Sequence, residues 1–128
     1  MSAGERRFSR DHEWARLDDG RYVVGISDFA QDSVGDVVFV DLPQVGTHAA
    51  AGDAVAEVES TKTVSSVLVP LSGTVVAVNE TLAASPEQIN ADPYGKGWLS
   101  ALEADQDSEF EGLMDEAAYL AFVSDTST

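Results

Sequence analysis

Lys62 and Lys96 are the only lysines in this 128-residue chain. Lys62 sits in Glu59-Ser60-Thr61-Lys62-Thr63, between two runs that read as strands. A lysine at a hairpin tip is exposed and mobile at its end, while the strands below fix its position. Both properties suit an amine that another enzyme must find and modify. Glu59, one strand residue before the tip, adds charge close to that target. Lys96 lies in Pro93-Tyr94-Gly95-Lys96-Gly97-Trp98, a turn by its Gly and Pro content. His12, beside Glu13 and Trp14, reads either as a general base or as structural packing near the start of a β-protein. Carboxylate pairs such as Asp18-Asp19 read as solvated surface.

Other chemistries lack their residues. Cysteine is absent, which removes disulfides, thiolate metal sites and cysteine nucleophiles. With only His12 and His48, a zinc centre would need carboxylate ligands. Gly-x-Ser-x-Gly, the phosphate-cradling Gly-x-x-x-x-Gly-Lys and Gly-x-Gly-x-x-Gly do not occur. The balance of 23 acidic against 7 basic residues leaves a net charge of −16. Nucleic acid and anionic membranes require cationic patches, so neither is an expected partner. Acidic charge with scarce lysine also suits a salt-rich cytoplasm, where screening relieves self-repulsion. No apolar run approaches a membrane span. Met1 to Arg10 holds no apolar h-region, so the expected location is cytoplasmic.

The elements that position these residues are mostly strands. Residues 21–26, 37–40, 54–59, 67–69, 75–78 and 98–102 are rich in β-formers and cut by Gly and Pro turns. That spacing predicts a mainly β domain, a sandwich or flattened barrel, rather than a parallel α/β sheet. Length and composition predict one domain spanning residues 1–128, with a core from about Phe8 to Val123 and a polar, fraying tail over 124–128. Gly35-Asp36-Val37-Val38-Phe39-Val40 echoes Gly73-Thr74-Val75-Val76-Ala77-Val78. The echo either places two similar strand–turn units about a pseudo-twofold axis or reflects two Val-rich strands alike by chance. Single helical turns are expected over 27–33, with Phe29 as the anchor, and over 81–89. At the C-terminus, Ser108 and Glu111 form a capping box. Phe110, Leu113, Met114, Ala117 and Ala121 then predict one amphipathic helix whose stripe is core packing.

Several ordered motifs are also similar to those of one family. They are His12-Glu13-Trp14, Val24-Gly25-Ile26-Ser27-Asp28-Phe29-Ala30-Gln31, and Gly35 to Pro43 followed by Val45-Gly46. Glu59-Ser60-Thr61-Lys62 is the central match, followed by Pro70 to Asn79 and Pro93 to Leu99. With these, from about Phe8 to Val123, the chain resembles the glycine cleavage system H proteins, the lipoyl carriers of that system. The resemblance implies a lipoyl/biotinyl-type hammerhead β-sandwich with short helices, and lipoate in amide linkage to Lys62. It implies a carrier that is not itself an enzyme, and the strong negative charge favours a monomer except in high salt. The arm would take an aminomethyl group from a pyridoxal phosphate-dependent glycine decarboxylase and deliver it to a tetrahydrofolate-dependent aminomethyltransferase. Dihydrolipoyl dehydrogenase would then reoxidise it. It further implies that Glu59 is recognised by the lipoate-attaching enzyme, and that Glu13 stands near the amine of the loaded arm in a protective cleft.

Other readings are open to the same residues. Biotinyl carriers have Met on both sides of the lysine, where this chain has Thr61 and Thr63. Lipoyl domains of 2-oxo acid dehydrogenases are shorter and usually carry Asp before the lysine. An H-like carrier serving another lipoate-dependent pathway, sulfur oxidation or lipoate relay, is the closest alternative, since a carrier fold does not reveal its clients. A structural β-domain with an incidental lysine is the bland one. The acid excess exceeds what the family leads one to expect. Val64 and Val67, both β-branched, should stiffen the arm after the lysine.

Overall fold

Antiparallel pairing organises the chain. The computed structural model describes residues 5–126. Its strands are β1 (Arg6–Phe8), β2 (Glu13–Asp18), β3 (Arg21–Ile26), β4 (Val37–Asp41), β5 (His48–Ala49), β6 (Ala54–Ser60), β7 (Val64–Leu68), β8 (Gly73–Val78) and β9 (Ser100–Ala104). Six form one sheet in the order β1-β2-β3-β9-β8-β5, and three form a second in the order β4-β6-β7. Every pairing is antiparallel. This is the mainly β, two-sheet architecture that the sequence predicts. Strands β1, β2 and β5 lie outside the runs that the sequence predicts. Arg6-Arg7 and Glu13 to Asp18 carry charges that mask a strand pattern, and β5 is only two residues long.

The period-2 alternation of β6 shows how the core forms. Ala56, Val58 and Ser60 are buried, while Glu57 and Glu59 are exposed. Val58 joins Val37, Val40 and Val67 of the small sheet with Ile26, Leu82 and Leu99 in one apolar cluster. A second cluster gathers Ala15, Val24, Leu71, Val75 and Leu102.

The echo between residues 35–40 and 73–78 has a structural counterpart. Strands β4 and β8 lie in different sheets. The register of β4 against β6 shifts between Val37 and Phe39. The register of β8 against β9 shifts at the matching place, between Val75 and Ala77. Each strand therefore bulges at the second valine of its motif, and bulges of this kind re-aim side chains.

The helices depart from expectation in instructive ways. Helix α1 (Asp28–Val34) is longer than a single turn, and Ser27 caps it by accepting from the Ala30 N–H at 3.1 Å. Its buried anchor is Val34; Phe29 is only half-buried. The turn expected over 81–89 splits into a 3₁₀ turn, Glu80–Ala83, and helix α2 (Gln88–Ala91). The single C-terminal helix is broken into α3 (Ser108–Glu111) and α4 (Glu116–Thr126). Ser108 is not the cap: α3 begins after Asp107 with no side-chain cap bond. Between the two helices Met114 exchanges backbone hydrogen bonds with Phe8, at 2.8 and 2.9 Å. The unpaired edge of β1 thus outcompetes local helix periodicity, because an edge strand leaves N–H and C=O groups to satisfy. Ala117 and Ala121 are exposed, and among the described side chains of α4 Tyr119 is the buried one. The helix continues through Ser124 to Thr126, so the tail expected after Val123 does not begin there. Positions 127 and 128 lie outside the described residues.

Candidate functional site

The β6–β7 hairpin carries Lys62 at its end, as the sequence predicts. Its turn is built on Ser60, which is buried. The Ser60 Oγ accepts from the backbone N–H groups of both Lys62 and Thr63, each at 3.1 Å. The Ser60 N–H donates to the Thr63 carbonyl at 2.8 Å. The sequence analysis gives Ser60 no role; its signal is a hydroxyl two residues before the turn lysine, a local side-chain-to-backbone motif. The Thr61 N–H donates to the Asp36 carbonyl at 3.2 Å, tying the tip to the α1–β4 connection.

Lys62 is exposed, and its stem lies over Gly35. A Cβ at Gly35 would stand 3.1 Å from the Lys62 Cε, and the glycine has φ +91°. The left-handed backbone calls for glycine here, whereas the end of the exposed lysine can give by a few tenths of an ångström. Ser33 and Val34, just before this glycine, line a cleft of about 170 Å³. Phe29 extends the same wall. Val58, Ser65, Ser66 and Val67 of the hairpin form another, and Asp11, His12 and Glu13 close one side. The cleft is apolar along most of its length, with carboxylates gathered on one flank.

Glu13 is 3% exposed. The Ser9 hydroxyl donates to its Oε1 at 2.7 Å, and the Leu68 N–H lies 3.4 Å from its Oε2. Burial pushes its pKa up to about 7; the two hydrogen bonds oppose the shift and Asp11 adds to it. His12 adopts φ 71°, and its Nδ1 lies 2.9 Å from the Tyr119 hydroxyl. Burial lowers its pKa, with Asp11 opposing. The Tyr119 hydroxyl also lies 2.6 Å from the Oγ of buried Ser27. Helix α4 therefore braces the cleft wall from behind.

Trp14 faces the other way. It is fully buried, donates its Nε1–H to the Pro93 carbonyl at 3.1 Å, and packs so closely that a Cβ at Gly25 would sit 2.9 Å from its ring. His12-Glu13-Trp14 thus divides its work, with packing from Trp14 and a buried acid in the cleft from Glu13. Glu59 lies elsewhere. It is exposed on the outer face of the small sheet, between Phe39 and Val64. Lys96 is exposed at a turn where its N–H donates to Asp92 Oδ2 at 3.0 Å, and it does not line the cleft. The segment around it serves as scaffold: the Tyr94 hydroxyl accepts from the Asp28 N–H at 2.9 Å, and Arg6 stacks 4.2 Å above the Tyr94 ring.

Comparison with known proteins bears on this geometry. The family model for "Glycine cleavage H-protein" matches residues 6–126. The chain is 50% identical over 119 residues to the glycine cleavage system H protein of Anaeromyxobacter sp. (strain K), covering 93% of each chain. It is 48% identical over 122 residues to that of Salmonella arizonae, covering 94% of this chain and 95% of the other. Its structure is similar to the crystal structure of a glycine cleavage system H protein from Mycobacterium marinum, with a TM-score of 0.84, 37% identity and 98% coverage of both chains.

Proposed function

The chain belongs to the glycine cleavage H-protein family, and from that premise we propose that it is the lipoyl carrier of the glycine cleavage system, with lipoate in amide linkage to Lys62. The observation that carries the assignment of the lysine is its place at the exposed end of the β6–β7 hairpin, with its stem over Gly35, the residue that follows Val34 of a mainly apolar cleft holding the buried acid Glu13. Apolar walls from Phe29, Val34, Val58 and Val67 fit a hydrocarbon arm, and the Glu13 carboxylate fits an amine carried at its end. When attached, lipoate supplies a strained disulfide that opens by reduction and offers a sulfur for one-carbon transfer, chemistry a cysteine-free chain lacks.

The residues of the chain do the rest. The Ser60 hydroxyl holds the turn, so Lys62 is presented in one place while its end stays mobile. The cleft excludes water from the stored cargo. Glu13 meets the cationic amine of that cargo, which favours its ionised form. Glu59 serves recognition by the lipoate-attaching enzyme. In this reading residues 1–128 act as one monomeric, cytoplasmic carrier domain. It is the shared substrate of glycine decarboxylase, aminomethyltransferase and dihydrolipoyl dehydrogenase and catalyses none of their steps. Rapid cycling among them calls for weak, quickly reversed contacts.

The test is the intact mass of the protein from its native cells, with peptide mapping around Lys62. A lipoyl-sized addition on Lys62 and turnover with glycine decarboxylase are the expected results. An unmodified Lys62 in cells that make lipoate would overturn the reading.

A further inference from the structure

Helix α2 does not line the cleft, yet its Asn90 side chain holds the backbone on which the Lys62 stem lies. Gly35, Asp36 and Val37 run antiparallel to Ser60, Thr61 and Lys62. Val37 pairs with Ser60, and the Asp36 carbonyl accepts from the Thr61 N–H at 3.2 Å. A Cβ at Gly35 would lie 3.1 Å from Cε and 3.7 Å from Cδ of Lys62. The β4–β6 ladder thus continues past the end of β4 up to the lysine. The other edge of this segment faces no strand, since β4 is outermost in its sheet. Asn90 takes the missing strand's place. Its Oδ1 accepts from the Val37 N–H and its Nδ2 donates to the Gly35 carbonyl, each at 2.9 Å. These are the two bonds that a neighbouring parallel strand would make across Asp36. The second Nδ2 hydrogen goes to Gln31 Oε1 at 2.9 Å, and Gln31 Nε2 donates in turn to Asp28 Oδ1 at 2.9 Å. These partners fix which way the Asn90 carboxamide points. Its backbone is held as firmly: Ile89 is fully buried, and a Cβ at Gly97 would sit 2.8 Å from the Ile89 Cα.

We propose that Asn90 is the positioning residue of the Lys62 arm: by bridging Gly35 and Val37 it holds the segment beside the lysine turn and so sets the direction in which the arm leaves the hairpin. The use of that direction rests on the lipoyl-carrier reading of Lys62. Val34, the neighbour of Gly35, lines the cleft, so a stem laid over Gly35 sets out along the cleft wall. Without the carboxamide, the Gly35 carbonyl and the Val37 N–H lose these partners. Val37 is buried, where water is a poor replacement. The segment then leaves strand geometry to satisfy its backbone elsewhere. The Asp36–Thr61 bond, at 3.2 Å, does not by itself fix Gly35, whose φ of +91° is one of several conformations open to a glycine. The lysine stem loses its floor, and a loaded arm spends more of its time in water. Asn90 acts on the arm through Gly35 and not by touching the cargo.

The test compares the wild-type chain with Asn90→Leu, Asn90→Asp and Glu109→Ala. Leu deletes every bond of the carboxamide at similar volume. Asp, the milder change, keeps the acceptor for the Val37 N–H and loses the donor to Gly35, so it decides the matter if the Leu variant does not fold. Glu109→Ala deletes two bonds to Ser72, at 2.6 and 3.2 Å, outside the cleft, and serves as the control for lost stability. Circular dichroism and melting temperature report the fold. The first readout needs no lipoate: the nuclear Overhauser contact between Lys62 Hε and Gly35 Hα, with amide exchange at Thr61. Both Asn90 variants should lose the contact and exchange Thr61 about tenfold faster, while Glu109→Ala keeps the wild-type behaviour. The second readout is the hydrolysis lifetime of the aminomethyl group on the lipoylated chain, loaded with glycine and glycine decarboxylase. It should shorten by about fivefold or more in the Asn90 variants and hold in Glu109→Ala. A folded Asn90→Asp chain that keeps both the contact and the lifetime would overturn the proposal. So would an equal shortening in Glu109→Ala, because lost stability would then account for the effect. A wild-type chain that loses its cargo as fast when folded as in urea would instead bring down the protective-carrier reading, while the Lys62–Gly35 contact would still decide for or against Asn90.

Discussion

A carboxyl group pushed up to about 7 by burial is balanced between two charge states at neutral pH. Glu13 is such a group, and its reference value is 4.5. Between those values the folded chain holds a proton there that the unfolded chain has released. Stability from this group is therefore complete below about pH 4.5 and is lost as pH rises through about 7. Glu13→Gln removes the titration and keeps an acceptor for the Ser9 hydroxyl. The variant should gain on the wild type as pH rises across that window, to a constant lead of roughly 3 kcal/mol or less above it. Urea unfolding of both proteins at a series of pH values checks this. A lead independent of pH would remove the buried-acid account. In the proposed carrier role, a cationic amine beside Glu13 would offset the cost of ionising it.

Among the elements, the two bulges and the terminal helix carry the design. Equivalent bulges in β4 and β8 bend one strand of each sheet at the same motif position. In β4 the bulge also turns two apolar side chains to solvent beside the lysine hairpin. Helix α4 closes the back of the cleft through Tyr119, whose ring stacks 4.2 Å from Phe8 and whose hydroxyl serves His12 and Ser27. Tyr119→Phe keeps the ring stack and deletes the hydroxyl. Ser27, fully buried, then loses one partner, with an expected cost of about 1–3 kcal/mol. Denaturant unfolding measures the loss, and hydrogen exchange should quicken in α4 and the first turn of α1. An unchanged stability would show that the helix is held by its apolar contacts alone.

Across the whole molecule, charge dominates. A net of −16 on 128 residues places like charges close together over most of the surface. Among the described residues the ion pairs of arginine are Arg6–Glu116 and Arg7–Glu5, both on exposed or half-exposed side chains, and His48 Nε2 lies 2.7 Å from Asp105 Oδ2 at the surface. Exposed pairs of this kind contribute little, so salt must do most of the relief. Raising ionic strength from ~0.01 M to ~1 M shortens the screening length from about 30 Å to about 3 Å. The melting temperature should rise by several degrees over that range. A flat profile would remove the salt-adaptation reading and leave an ordinary acidic protein. The same charge favours cationic partner surfaces and disfavours self-association at low salt.

Local pattern determined much of this protein. Alternation in residues 54–60 sets which side chains of β6 face inward, and a turn between two such runs puts Lys62 at a hairpin end whatever the rest of the chain does. The acid excess and missing cysteines are likewise facts of composition. Tertiary structure alone decided the rest, because it depends on partners far along the chain. The acidity of Glu13 is set by burial and by a backbone N–H at Leu68, 55 positions away. The break between α3 and α4 follows from the free edge of β1, more than a hundred positions earlier, which no helical periodicity near Met114 encodes. The exposed row beside Lys62 required the registers of three strands and a bulge. Period tells a side chain which way to face within its own element; only the packing of elements tells it what it meets, and burial, charge state and contact surface are properties of that meeting.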